Sequence, residues 1–287
     1  MKTCSMVVLY EPDNKEIGNI LDYYDSVDKA YILDNSVESR ETIVNDVLSK
    51  RCGHVKEKVE YIHFHKNIGL CKALNHGMKL AADEGFEWAL IMDADSTFNT
   101  NVVNVYKDYI RENDCSKIGV LAPVHLHDRN MESRFEGQRD VSWAMTSGCF
   151  YNTAVFWKFH GFKEELFVDG LDLDYCYKIN GGGGYRVVEL ADARINHLPG
   201  ETRSLSFAGI EIKYGVASPW RYYMQARAIV WLILEYHSIK ELARYGMKWG
   251  KVLILFKDKK EYIKQLVRGT KDGINLRKMS TTKMPIK

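Results

Sequence analysis

The chain has 287 residues, of which 46% are hydrophobic and 27% charged, a composition typical of a globular protein with a full apolar core. No apolar run approaches the roughly 20 residues that a membrane-spanning helix needs. The first residues also lack the apolar stretch of a secretory signal peptide, because Glu11 and Asp13 interrupt it. Six scattered cysteines without a C-x-x-C pair favour a reduced, cytosolic setting.

The formal net charge of +2 hides an uneven distribution. From Lys240 onward, 14 lysines and arginines stand against 4 acidic residues, so this segment carries +10 and residues 1–239 carry −8. We therefore expect a larger domain over residues 1–236 and a basic, amphipathic helical extension over residues 237–287. An anionic membrane surface or a nucleic acid would attract such a charge, and the membrane is the partner we predict.

Strand and helix patterns alternate through the first 120 residues, which predicts a mainly parallel α/β sheet flanked by helices. Apolar runs predict four successive strands: Cys4–Tyr10, Lys29–Leu33, Val59–His63 and Trp88–Met92. Apolar residues at helical spacing predict the helices between them: Lys15–Tyr24, Ser39–Lys50 and Ile68–Glu84.

The second half of the chain is less regular. Residues 125–142 are polar and predict a loop or hairpin, and Gly181–Gly184 follow a short helix and therefore predict a helix-ending turn rather than a phosphate-binding loop. Further strands are predicted over Ile118–Pro123, Trp143–Tyr151, Arg186–Leu190 and just before His197. Helices are predicted over Trp220–Tyr236 and, as a basic amphipathic helix with a frayed tail, over residues 240–287.

Three polar signals follow the predicted parallel strands. Asp34, Asn67 and Asp93 each come at or just after the end of a strand. In open α/β sheets, ligands bind in the crevice beyond the carboxyl ends of the strands. We therefore expect these three side chains to share one ligand-binding edge, although ordinary turn chemistry would also explain Asp34 and Asn67.

The sharpest motif is Asp93-Ala94-Asp95, directly after the most apolar strand. Two such carboxylates cannot both be buried unpaired, since each would cost several kcal/mol. A hard divalent cation, Mg²⁺ or Mn²⁺, would bind both and a diphosphate as well. A solvated turn is the equally simple alternative.

A second acidic pair, Asp172 and Asp174, opens a predicted helix. One of the two is a candidate general base, while helix capping is the alternative explanation. His197 is a candidate metal ligand, although an isolated histidine is more often structural.

The ordered motifs of residues 5–230 resemble family 2 glycosyltransferases, which are inverting enzymes of the GT-A fold, and in particular their rhamnosyltransferase-like group. The motifs that carry this resemblance are VVLYEPD (7–13), ILDNS (32–36), HKNIGLCKALNHGMKLA (65–81), WALIMDADSTF (88–98), MTSGCF (145–150), FVDGLDLDYCYKI (167–179), INHLPG (195–200) and RYYMQAR (221–227).

The resemblance implies a role for each matching residue. Asp172 would be the catalytic base, and a metal ion would be held by Asp93, Asp95 and His197. The nucleotide-sugar donor would be bound by Tyr10, Asp34, Asn67, Gly69, Asp93 and Ala94.

This sequence departs from the family pattern at three places. Ala94 stands where the rhamnosyltransferase-like members usually carry Gln, which weakens the inference of rhamnose but leaves both carboxylates. Leu171 stands where the wider family has an acid, and Ala226-Arg227 replace the usual Arg-Asn pair.

The implied reaction is a single displacement that moves rhamnose or another hexose from a UDP- or dTDP-sugar to a hydroxyl of a glycan or lipid-linked glycan, in cell-surface polysaccharide synthesis. Such an enzyme would be cytoplasmic and peripheral on the inner face of the plasma membrane. Apolar residues of the basic segment (Trp249, Val252, Leu253, Leu255, Phe256) alternate with Lys248, Lys251 and Lys257, as in a helix lying on anionic lipid. Packing of this helix on the larger domain is the alternative.

Other classes of protein share parts of this pattern. The segment LIMDADST also fits the D-x-D-x-T motif of aspartate-nucleophile phosphatases and phosphotransferases, but three predicted strands precede it and no later G-D-x-x-x-D pattern follows. A nucleotidyltransferase should carry a glycine-rich loop after the first strand, where this chain has YEPDNKE. A non-catalytic binding protein would not need to keep Asp93, Asp95, Asp172 and His197.

Overall fold

The computed structural model describes residues 1–50, 58–126, 135–197, 200–207 and 210–282. The chain divides into two compact units. One comprises Met1–Glu164 and Tyr175–Leu198, and the other comprises Glu165–Asp174 and Pro199–Lys287. This division differs from the expected boundary after residue 236, which remains a proposal about the chain's domains.

The first unit is built on a nine-stranded mixed sheet in the order β3-β2-β1-β4-β8-β6-β9-β5, with β7 paired to β9. Neighbours from β3 to β4 run parallel, as do β6 and β9, while β8 is antiparallel to both its neighbours. The strands are β1 (Thr3–Leu9), β2 (Lys29–Asp34), β3 (Val59–His63), β4 (Trp88–Asp93), β5 (Thr97–Phe98), β6 (Ile118–Leu126), β7 (Gln138–Val141), β8 (Cys149–Asn152) and β9 (Arg186–Asn196).

Helices cover this sheet, and β1, β2 and β4 are buried along nearly their whole length, as expected of strands packed on both faces. The helices are α1 (Asn14–Gly18), α2 (Leu21–Tyr24), α3 (Glu41–Ser49), α4 (Leu70–Asp83), α5 (Val102–Glu112) and α6 (Thr153–Lys158). Helix α7 (Leu171–Gly182) and a 3₁₀ turn (Glu164–Leu166) contain residues of both units. The predicted mainly parallel α/β sheet is therefore confirmed.

Several predicted elements have different boundaries. The helix expected over residues 15–24 is two short helices, α1 and α2, and the strand expected over 143–151 is reduced to β8. The two strands expected between residues 186 and 196 are the single strand β9. The polar segment 125–142 contains β7, and its residues 127–134 lie outside the described part of the chain. Helix α7 ends within the glycine run, as predicted.

The second unit contains a hairpin and three helices: β10 (Glu201–Phe207), β11 (Ile210–Val216), α8 (Pro219–Tyr236), α9 (Ile239–Leu255) and α10 (Lys259–Thr282). The basic segment is thus two helices rather than one. Gly269 and Gly273 of α10 let it approach α8 closely, because a Cβ at either position would overlap the backbone of Tyr223 or Arg227. Among the described residues, no helix is long and apolar enough to cross a membrane.

Candidate active site

The carboxyl ends of the central parallel strands meet at one edge of the sheet. In the strand register, Leu9 of β1 lies beside Asp34 of β2, Asp34 beside His63 of β3, and Val8 of β1 beside Asp93 of β4. The sequence-based prediction that Asp34 and Asp93 share an edge is therefore confirmed. This edge is where open α/β sheets bind ligands.

Asp93, Asp95 and His197 form one cluster at this edge. The Nδ1 atom of His197 lies 3.8 Å from Oδ2 of Asp93 and 3.7 Å from Oδ1 of Asp95. Candidate ligand atoms of all three residues lie within 4.8 Å of one another. His197 follows β9, where its backbone N–H donates to the carbonyl of Leu126 at 3.1 Å. Residues about a hundred positions apart thus converge on one point.

Two serines that the sequence did not single out connect this cluster to the sheet. The backbone N–H of Asp93 donates to Oγ of Ser147 at 3.1 Å, and this hydroxyl donates to Oγ of Ser96 at 2.9 Å. Oγ of Ser96 lies 2.8 Å from Nδ1 of His197, within hydrogen-bonding distance. The buried His125 contributes Nε2, 2.7 Å from the carbonyl of Ser147, and packs edge-on against His197. Ser147 lies in the MTSGCF motif but was given no role from the sequence, and no sequence pattern indicated His125.

Gly148 fixes Ser147 in this network. Its φ of +75° belongs to the left-handed region, and a Cβ there would come within 2.8 Å of Ile195 and 2.9 Å of Pro123. Its N–H donates to the carbonyl of Ile91 at 2.8 Å, and its carbonyl accepts from the hydroxyl of Tyr106 at 2.8 Å. Only glycine meets both the backbone and the space requirements of this turn.

The donor set fits a hard divalent cation. Two carboxylates and one imidazole suit Mg²⁺ or Mn²⁺, which prefer oxygen ligands and accept further ones from a diphosphate. Asp93 and His197 are partly buried and Asp95 is exposed, so the cluster is open on one side. The structure therefore brings together the three residues predicted to hold a metal.

Asp34 is fully buried, and both oxygens of its carboxylate accept hydrogen bonds from within the first unit. One oxygen accepts from the N–H of Ser36 at 2.8 Å, while the other accepts from the N–H of Arg40 at 3.0 Å and from the hydroxyl of Tyr61. Burial raises the pKa of a carboxyl, but here these hydrogen bonds outweigh burial and lower the pKa of Asp34. A contact to a nucleobase stays a prediction, and it would require these internal donors to move.

The remaining predicted donor-binding residues lie around the same edge. Asn67 is exposed, and its side-chain oxygen accepts from the N–H of Gly69 at 2.9 Å. Gly69, with φ of +88°, starts α4, so this turn needs a glycine. Tyr10 is exposed just after β1, and the carbonyl of Ala94 accepts from Nδ2 of Asn19 at 2.8 Å. Their roles in donor binding stay predictions.

The two aspartates of the second acidic pair, Asp172 and Asp174, lie in different environments. Asp174 is buried in the second unit, where Oδ1 accepts from the indole N–H of Trp231 at 3.1 Å and from the hydroxyl of Tyr236 at 2.9 Å. Asp172 is only half-buried, and its Oδ1 accepts from the N–H of Leu173 at 2.8 Å. Asp174 therefore has a structural role, which leaves Asp172 as the candidate base of the two.

An α/β sheet with two aspartates and a histidine at its carboxyl edge is typical of enzymes that bind nucleotide diphosphates. The family profile described as "Glycosyl transferase family 2" matches residues 19–165, just over half of the chain. The chain therefore belongs to glycosyl transferase family 2. This membership confirms the predicted resemblance and leaves the phosphatase alternative without support.

One similar protein with a stated activity is the dTDP-rhamnosyl transferase RfbF of Shigella flexneri. It is 26% identical over an alignment of 294 positions that covers 94% of each chain. This similarity confirms the predicted resemblance to the rhamnosyltransferase-like group.

Two solved structures share the fold. The structure of GalNAc-T7 with UDP, GalNAc and Mn²⁺ superposes with a TM-score of 0.59 at 11% identity, covering 98% of this chain and 57% of that one. The structure of S. aureus TarS superposes with a TM-score of 0.58 at 20% identity, covering 96% of this chain and 49% of that one. This chain therefore spans only about half of either protein. The likeness confirms the predicted GT-A fold.

Proposed function

We propose that this protein is an inverting hexosyltransferase that uses dTDP-rhamnose, or a related dTDP- or UDP-sugar, as its donor. The cluster of Asp93, Asp95 and His197 at the carboxyl edge of the sheet carries the proposal, because it offers ligands for a metal-bound diphosphate. The similarity to RfbF over nearly the whole of both chains supports rhamnose. Ala94, which departs from the pattern of that group, is the reason to include other hexoses.

The residues of the chain have distinct tasks in this reaction. Asp93, Asp95 and His197 would hold Mg²⁺ or Mn²⁺, which when bound supplies positive charge opposite the departing nucleotide diphosphate. Ser96 and Ser147 hold His197 and the Asp93 backbone in register through their hydrogen bonds. The ligands are thus positioned before the donor arrives, which lowers the cost of organising the site.

Asp172 would act as the general base. As the acceptor hydroxyl attacks the anomeric carbon, its proton passes to the Asp172 carboxylate and the bond from that carbon to the diphosphate oxygen breaks. Attack and departure occur on opposite faces of the sugar, so the anomeric configuration inverts. A single step of this kind needs no covalent sugar–enzyme intermediate.

We also propose a cytoplasmic setting, where the enzyme extends a lipid-linked glycan for the cell surface at the inner face of the plasma membrane. Five cysteines in the described part of the chain are free thiols, which suits a reducing compartment. The excess of lysine and arginine after residue 240 suits an anionic membrane.

The proposal can be tested by binding and by turnover. We expect dTDP to raise the melting temperature more strongly with Mn²⁺ or Mg²⁺ than without, and Asp93→Asn to remove the metal-dependent part. Asp192→Asn, which changes another exposed aspartate of the first unit, should behave as wild type. Asp172→Asn should keep donor binding but lose transfer by roughly a thousandfold.

A screen of nucleotide sugars for slow donor hydrolysis would identify the sugar. Hydrolysis of dTDP-rhamnose above that of other donors would support the rhamnosyl proposal. If no nucleotide diphosphate binds with either metal, the transferase proposal fails. If transfer retains the anomeric configuration, the single-displacement mechanism fails.

A further inference from the structure

Helix α9 presents an uninterrupted apolar surface to solvent. At 3.6 residues per turn, eight of its positions fall within an arc of about 140°. All are apolar or glycine and all are at least partly exposed, with Ile239 at 82% and Ile254 at 77%. We call this surface the outer face of α9; it comprises Ile239, Leu242, Ala243, Gly246, Met247, Gly250, Leu253 and Ile254.

The outer face is not the surface by which α9 packs on its own unit. The opposite side of the helix supplies Tyr245, Trp249, Val252 and Leu255 to a core cluster with α8 and α10. This cluster anchors the helix through its other side, and the outer face is left largely to solvent.

The sequence pattern had indicated the wrong residues for a lipid-facing surface. Val252 and Phe256 are buried, and Trp249 and Leu255 pack against the same core cluster. Lys248 donates to Oε1 of Gln225 at 2.5 Å within this unit instead of facing outward. Of the apolar residues expected at the lipid, only Leu253 belongs to the outer face.

The charges around the outer face select its partner. Lys240 lies at its start, and Lys257, Lys259 and Lys260 follow its end, all exposed, so these four lysines outnumber the neighbouring exposed acids Asp258 and Glu261. Two copies of the chain meeting through this face would bring like charges together, which disfavours a dimer. An anionic lipid surface would instead accept the lysines among its head groups and the apolar arc beneath them.

We propose that the outer face of α9 inserts into the interfacial layer of a membrane containing anionic lipid, with the helix lying in the membrane plane. Only the biological reason for membrane binding, which is to bring the enzyme to a lipid-linked acceptor, rests on the proposed function. Binding itself is independent of catalysis, so the two proposals can fail separately.

The test is co-sedimentation of the full chain with vesicles of phosphatidylcholine alone and of phosphatidylcholine mixed with phosphatidylglycerol. We expect binding to the mixed vesicles that weakens with salt. The double variant Leu253→Gln/Ile254→Gln should bind at least about tenfold more weakly, because two inserted aliphatic side chains are lost. The control Ile274→Gln/Met279→Gln changes two exposed apolar residues of α10 and should bind as wild type.

The proposal fails if the wild type does not bind vesicles, if the α9 variant binds as well as wild type, or if neutral and mixed vesicles are bound equally. It also fails if the wild type is a dimer and the α9 variant is a monomer. Donor hydrolysis without vesicles, measured on the same proteins, should be unchanged by either double variant. A wild-type protein that binds vesicles but hydrolyses no nucleotide sugar would refute the proposed function and leave the membrane face standing.

Discussion

Asp169 and Arg221 form an ion pair in the second unit, with Oδ1 of Asp169 2.9 Å from Nη2 of Arg221. The other oxygen, Oδ2 of Asp169, is buried and has no hydrogen-bond partner among the described residues. Burial raises the pKa of Asp169, and the charges of Arg221 and Lys248 oppose this rise. The pair matters because Asp169 lies three residues before Asp172.

The segment that carries Asp172 is held against α8 on both sides. Before it, Asp169 pairs with Arg221, and Gly170 sits so close to Ala228 that an added Cβ would lie 2.8 Å from the alanine methyl group. After it, Asp174 accepts hydrogen bonds from two further residues of α8. We therefore predict that Arg221 positions Asp172, the proposed base, through Asp169.

We predict that Arg221→Ala lowers kcat by roughly a hundredfold, because a displacement of about 1 Å in a catalytic group costs that much. The KM for the donor should change by less than about threefold, and Arg221→Lys should recover part of kcat since it keeps the charge but loses the forked donor. Arg186→Ala is the matched control, because it removes an arginine–aspartate ion pair within the first unit, to Asp140, instead of one that holds the Asp172 segment. Steady-state kinetics with saturating acceptor would decide, and equal losses in both variants would contradict a positioning role.

Lys248 gives a second prediction, on stability against pH. Burial first, and the charge of Lys251 second, lower the pKa of Lys248 from 10.5 to about 8. A depressed lysine pKa means that the folded state binds the proton more weakly than the unfolded state, so stability is lost as pH falls from 10.5 toward 8. The full penalty at pH 7 is at most about 3 kcal/mol.

Replacing Lys248 by Met should therefore stabilise the fold more at neutral than at alkaline pH. We expect Lys248→Met to raise the free energy of unfolding above that of wild type, and this increase should be about 2 kcal/mol larger at pH 7 than at pH 10. Urea titrations at the two pH values would measure it. Lys264→Met, at a lysine whose side chain is 73% exposed, should show no such difference. A pH-independent effect of Lys248→Met would contradict the assignment.

The strand ends were predictable from the sequence because alternating apolar segments fix both the strands and their parallel order. Asp34 and Asp93 were therefore found from local patterns alone. His197 was suggested by the family motif, but its distance to Asp93 depends on β9 returning to the same edge. Ser147 stands in the MTSGCF motif, but its role, like that of His125, depends on long-range strand pairing and on the turn at Gly148, which the motif alone does not reveal.

The face of α9 shows a second limit of sequence reasoning. An amphipathic pattern states that a helix has two sides, but it does not state which side the rest of the protein covers. Trp249 and Val252 look suited to lipid, yet they pack inward with Tyr222 because aromatic residues of neighbouring helices meet them there. Tertiary packing decided the orientation, and only the structure reports it.

Tyr61 carries a third prediction. Its hydroxyl donates to the buried Asp34, whose lowered pKa means that the carboxylate stabilises the fold above its unfolded pKa and loses this effect as pH falls through the folded pKa. Tyr61→Phe removes one donor and should reduce the free energy of unfolding by about 1–3 kcal/mol at pH 7. The loss should shrink near pH 3, as Asp34 approaches protonation. Tyr185→Phe, which removes the acceptor of an exposed hydrogen bond from Lys158, should cost much less at both pH values.

Gly148 and Gly85 form a matched pair for the last prediction, since both have φ of +75°. Gly85 has open space around its missing Cβ, so Gly85→Ala should cost only the backbone strain, about 1–2 kcal/mol. Gly148→Ala adds an overlap with Ile195 and Pro123, so it should cost about 1–3 kcal/mol more.

The two glycine variants should also differ at the site. Because any shift at Gly148 moves Ser147, and Ser147 accepts the N–H of Asp93, we expect Gly148→Ala to weaken metal-dependent dTDP binding. Gly85→Ala should leave that binding unchanged. Chemical denaturation and calorimetric titration of both variants would measure the two effects. Unaltered binding in a folded Gly148→Ala protein would show that the serine hydrogen bonds do not hold the metal ligands in place.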